Sequence, residues 1–165
     1  MTGLELIQDT IIEIATIITD IDLEVVEIGP ELIIYQDDEI LAEMNEWCQE
    51  HHTRSGLIEG VRQSNITTAM AEKQTLAFLK KFIPEGSAPL CGNSIHQDRA
   101  FLKQHMPLLD QYLHYRNIDI SSIKELALRW YPNLKKYQKQ GMHTALEDIK
   151  ESVNELRYYR KHLFA

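Results

Sequence analysis

The sequence predicts an α/β domain, a mixed sheet flanked by helices. Two observations carry this: Ile- and Val-rich runs near the start alternate like strands, and the remainder alternates helical periodicity with short apolar strands. A third sets the scale, because 165 residues are the length of one ordinary domain able to bury its own core.

Thr10 to Thr19 and Leu23 to Tyr35 read as an antiparallel pair joined at the turn Asp20-Ile21-Asp22. Gly29-Pro30 interrupts the second run and predicts a bulge or an edge, since proline cannot donate to a ladder. From Asp37 the spacing turns helical, with Ile40, Leu41, Met44, Trp47 and Cys48 on one face and Asp37 or Asp38 as cap. A second helix is predicted over about Thr67 to Phe82, capped by Thr67 or Thr68, with Leu76, Leu79 and Ile83 on one face. Pro84 and Gly86 end it. The stretch APLCGNS reads as a strand running into a helix, SIHQDRAFLKQHM. HYRNIDIS is a further strand, SSIKELALRWY a helix, and the last helix begins near His143 with Leu146, Ile149, Val153, Leu156 and Arg160 in a stripe.

Composition excludes several classes. The net charge of −8 argues against a protein that tracks long nucleic acid, including long double-stranded DNA, by neutralising its backbone. It leaves room for a small anionic substrate received by a metal or a few local cations. Glu13 and Asp20 break the apolar runs before membrane-spanning length, and no basic segment precedes an apolar one as in a secretory signal. A cytoplasmic location without membrane attachment is the expectation. Cys48 and Cys91 fall in no metal or redox motif and are expected to be buried thiols.

Asp98 falls on the apolar stripe Ile95/Asp98/Leu102 of a helix capped by Asn93 or Ser94. An ionised carboxylate there is costly unless paired, hydrogen-bonded or metal-bound. Its alternative is a first-turn acid complementing the helix dipole, and spacing alone does not choose between the two. His143 and Asp148 are five apart, so they share a helix face only loosely, and Asp148 borders the core stripe. A solvated Asp beside a surface His is the plainer reading of that pair. Carboxylates from separate elements suit hard ions such as Mg²⁺ or Mn²⁺, and a histidine can serve as base near neutral pH. Two carboxylates are thin ligation for two such ions.

MTGL, IIEIATIITD, EIGPEL, SGL, CGNSIHQDRAFL, HYRNIDISSIKEL, RWYP and HTALEDIKES, in this order along the chain, resemble the oligoribonucleases within the DEDDh family of 3′→5′ exonucleases. The resemblance implies a ribonuclease-H-like fold, a single exonuclease domain over residues 1–165, and hydrolysis of very short RNA to nucleoside 5′-monophosphates by two-metal-ion catalysis. It makes Asp98 and Asp148 metal ligands for Mg²⁺ or Mn²⁺ and His143 the general base. Leu4 corresponds to a wedge between two bases, and Trp47 and His52 to the nucleotide pocket. Ser94, His114 and Arg116 correspond to polar groups around the 5′ phosphate, and Tyr115 to an aromatic supplied by the partner of a homodimer. The family's Asp-x-Glu on its first strand would stand directly before Met1. The expectation is therefore an N-terminally incomplete domain lacking that strand and two ligands, with a catalytically inert short-RNA-binding form as the alternative. A purely structural partner in a dimer is a third reading. Without the resemblance, Trp47 could equally be core, His114 and Tyr115 could pack at a strand end, and His51-His52 could be an exposed pair.

Overall fold

The computed structural model describes residues 1–138 and 144–164. Six short strands occur among the described residues: β1 (Glu13–Ile14), β2 (Ile17–Thr19), β3 (Val25–Ile28), β4 (Leu32–Ile33), β5 (Pro89–Gly92) and β6 (His114–Asp119). Eight helices are described: α1 (Asp38–Ala42), α2 (Glu46–Arg54), α3 (Leu57–Gln63), α4 (Thr68–Leu79), α5 (Ile95–His105), α6 (Pro107–Tyr112), α7 (Ile120–Trp130) and α8 (Ala145–Leu163).

The expected hairpin forms in two pieces. β2 pairs antiparallel with β3, Ile17 opposite Ile28, and β1 pairs antiparallel with β4, Glu13 opposite Ile33. The break at Gly29-Pro30 follows from proline's missing donor. Gly29 also packs so closely on Phe78 that a Cβ would sit 2.8 Å from its ring. At the turn, Asp20 Oδ1 accepts from the Asp22 and Glu24 amides, and Leu23 takes φ 65°. β5 and β6 pair in parallel, so both strand orientations occur, distributed over three two-stranded sheets.

Strand alternation distributes the core. Ile11 joins Leu32, Ile34, Ala71, Phe101 and Leu109 on one side, while its neighbour Ile12 packs with Leu41, Met44, Cys48 and Val61 on the other. A third cluster, Ile120, Ala127, Leu156 and Tyr159, joins α7 to α8.

The single helix expected from Asp37 is two. Asn45 interrupts it and caps α2, its side chain accepting from the Cys48 amide at 2.9 Å. This rotates the second segment so that Cys48 is buried and Trp47 is 63% exposed, which removes Trp47 from the expected apolar face. Thr67 caps α4 as expected, accepting from the Met70 amide. Cys91 departs from the expected burial and is exposed on β5, while Cys48 is buried. Among the described residues no helix is long and apolar enough to cross a membrane.

Candidate active site

Two successive features of the chain bring Asp98 into place. β5 ends at Gly92, where a Cβ would lie 2.8 Å from Ile95, and Ser94 then adopts the left-handed conformation with φ 50°. The Ser94 amide shares its proton between Asp119 Oδ1 at 3.0 Å and Ser121 Oγ at 2.9 Å, so the bend is held by the end of β6 and the start of α7. Ser94 is thus the residue before α5 but makes no side-chain cap. One turn on, Asp98 is partly buried between Ile95 and Leu102, as the stripe predicts. Burial pushes its carboxyl pKa above the ordinary value, with the Met1 ammonium and His96 opposing.

The Met1 amino group is buried, and desolvation lowers its pKa against the attraction of Glu13, Cys48, Asp98 and Asp9. Sequence reasoning missed Glu13. It sits in β1 with its pKa raised, first by desolvation and then by Glu31, it accepts a hydrogen bond from the Ala145 backbone, and it feels the Asp148 charge. The signal was legible as an acid within the apolar run IIEIA. Glu13 and Asp98 both line a cleft of about 420 Å³ bordered by residues of the 11–20 stretch, β5 and α5, including Ile17, Leu90 and Ile95.

Asp148 is exposed in the first turn of α8, which Thr144 caps by accepting from the Glu147 amide. His143 lies outside the described residues. Thus Glu13 feels the charge of Asp148 and shares its cleft with Asp98.

The MTGL loop is clamped from beneath. Thr2, 1% exposed, donates to Asp9 Oδ1 at 2.8 Å, and the Glu5 amide donates to Asp9 Oδ2 at 2.8 Å. A Cβ on Gly3 would lie 2.3 Å from Asp9 Oδ2, so a larger residue there must displace that carboxylate. The clamp leaves Leu4 61% exposed. His52 donates from Nε2 to the Met1 carbonyl at 3.0 Å and ties α2 to this loop. Its half-burial lowers its pKa. Trp47 stacks on His51, with centroids 3.9 Å apart.

His114, Tyr115 and Arg116 open β6. His114 Nδ1 accepts from the Arg116 amide, His114 stacks on Tyr115, and the Arg116 guanidinium lies 5.2 Å from the Tyr115 ring centroid. Ser94 adjoins Asp119 at the opposite end of β6, so within one chain it does not meet these three.

The donor types fit a hard divalent cation. Asp98, Glu13 and Asp148 offer only oxygen. Among the described residues, no three acid, histidine or cysteine groups converge closely enough to hold an ion by themselves.

The α/β scaffold, with acids on β1, α5 and α8, is that of an exonuclease domain of the ribonuclease-H-like class. The family model RNase_T, described as an exonuclease, matches residues 1–156. The oligoribonuclease of Photobacterium profundum is 53% identical over 165 residues, covering 99% of this chain and 91% of that protein. That of Pseudomonas syringae pv. tomato is 56% identical over 162 residues, covering 98% and 90%. That of Haemophilus influenzae (strain PittGG) is 53% identical over 163 residues, with the same coverage of 98% and 90%. The chain belongs to the oligoribonuclease family of RNase_T exonucleases.

Proposed function

We propose that the chain hydrolyses very short RNA from its 3′ end, releasing nucleoside 5′-monophosphates, and that it works as a homodimer in the cytoplasm. The observation that carries this reading is identity of about one residue in two to oligoribonucleases over nearly the whole chain. Asp98 and Asp148, together with Glu13, would hold Mg²⁺ or Mn²⁺. Bound there, such ions would supply positive charge where negative charge accumulates on the phosphoryl oxygens.

The protein's own residues bind and orient. Leu4, raised by the Asp9 clamp, and Trp47, exposed on α2, offer apolar surface to two bases. His52 holds the loop and α2 in register through the Met1 carbonyl. Arg116 offers a guanidinium fork to a 5′ phosphate, which makes the site read length rather than sequence. His114, Tyr115 and Arg116 lie remote from Ser94 in their own chain, which favours their serving the partner's site. His143 takes a proton from the attacking water as the water oxygen bonds to phosphorus and the bond from phosphorus to the leaving 3′ oxygen breaks, that oxygen taking up a proton from solvent.

Asp98→Asn should abolish release of monophosphate from a dinucleotide, followed chromatographically at saturating Mn²⁺, with the dinucleotide still bound. Full activity in that variant would overturn the assignment. Binding without turnover by the unsubstituted chain would leave RNA capture alone and refute the hydrolytic reading.

A further inference from the structure

Glu155 is the most enclosed acid among the described residues, 1% exposed against 9% for Glu72, and the site described above makes no use of it. It follows Asp148 by seven residues on α8, two turns along nearly the same face. Its surroundings come from three elements. Asn93, at the junction of β5 and α5, donates from Nδ2 to Glu155 Oε2 at 2.9 Å. Lys124 of α7 lies 3.4 Å from Oε1, and the Tyr159 hydroxyl donates to the same oxygen at 3.4 Å.

Asn93 extends the network back toward Asp148. Its Oδ1 is 2.7 Å from Ser152 Oγ, which is also 2.8 Å from the Asp148 carbonyl, so the Ser152 hydroxyl shares one proton between the two acceptors. The orientation of the Asn93 amide is chemically forced, because its nitrogen must face the carboxylate and its oxygen the hydroxyl. The chain of contacts therefore runs from Glu155 through Asn93 and Ser152 to the backbone of Asp148. Asn93 itself lies five residues before Asp98, across the fixed bend at Ser94. A buried carboxylate is tolerated only with its partners in place, so such a network favours one arrangement of the elements that supply them.

We propose that Glu155, acting through Asn93 and Ser152, is a positioning residue that fixes the Asp148 helix against the Asp98 helix and thereby sets the affinity for a divalent cation. The inference rests on the metal-dependent reading above. Neither Glu155 nor Ser152 touches the ion; they hold the elements whose carboxylates do.

The test is Mn²⁺ binding, read from the paramagnetic resonance signal of free Mn²⁺, beside the melting temperature of the metal-free chain. Ser152→Ala should weaken Mn²⁺ binding about tenfold with little change in melting temperature, the range typical of residues supporting metal ligands. Ser152→Thr restores the hydroxyl and should recover most of the affinity. Glu155→Gln, which keeps an acceptor for Asn93, should bind better than Glu155→Leu. Wild-type affinity in Ser152→Ala, or equal losses in Ser152→Ala and Ser152→Thr, would overturn the positioning role while leaving the metal reading intact. Absence of Mn²⁺ binding by the unsubstituted chain would overturn both.

Discussion

Asp98 sits where a carboxylate is costly to the fold. Its pKa is raised by burial, so between the ordinary aspartate value and the raised one the native chain binds more protons than the unfolded chain. Stability contributed by protonated Asp98 is therefore complete below about pH 3.8 and is lost as pH rises through the native value. Asp98→Asn should consequently raise the melting temperature at pH 7, and the gain should vanish near pH 3, as thermal unfolding at the two pH values would record. Gly3 presents a different constraint. Its hydrogen faces Asp9, so Gly3→Ala must displace a carboxylate that holds both Thr2 and the Glu5 amide. We expect a loss of about 1–2 kcal/mol in urea denaturation and a raised KM for dinucleotides, because the loop that lifts Leu4 loses its support.

At the scale of elements, spacing revealed what packing reinforces locally. The Thr67 cap, the Gly29-Pro30 interruption and the Ile95/Asp98/Leu102 stripe were legible, because each is written in adjacent residues. The split between α1 and α2 was not, since Asn45 lies within an unbroken apolar period and acts through its side-chain cap on Cys48. Glu13 was visible as an acid among isoleucines, but its tie to the start of α8 joins segments more than a hundred residues apart. Arg99 is another long-range feature. It forms an enclosed ion pair with Asp110 at 2.5 Å, and donates to the His114 and Asp110 carbonyls, pinning α5 to α6 and to the start of β6. Arg99→Met should destabilise the chain by about 3 kcal/mol, because it strands a carboxylate with little access to water. Wild-type midpoints in chemical denaturation would count against that role.

Across the whole molecule, the strands are grouped into three separate pairs with a cleft where residues 11–20 face β5 and α5, and both Asp98 and Glu13 open onto it. Burial in three clusters gives α8 a core of its own with α7, so the placement of Asp148 depends on that core as well as on the Asn93 and Ser152 contacts that tie α8 to the start of α5. Sequence indicated the mixed α/β class through its change of period, whereas the division of the sheet depends on which short runs pair. Outside these cores, Tyr115 is 73% and Trp130 67% exposed, which is much apolar surface for the β6–α7 unit. If this surface joins two copies, Trp130→Glu should shift sedimentation from dimer to monomer and reduce dinucleotide turnover together. A monomeric wild-type chain would refute the paired arrangement.

The bend at Ser94 also bears on chemical ageing. An asparagine followed by serine is prone to deamidation, which begins when the backbone nitrogen of the second residue attacks the side-chain carbonyl of the first. Here the Ser94 nitrogen is engaged by Asp119 and Ser121, while the Asn93 amide is gripped at both ends by Glu155 and Ser152. The native fold thus shields a fragile dipeptide, and the same bonds that hold the bend slow the conversion of Asn93 to an acid beside Glu155, where a second negative charge would be repelled.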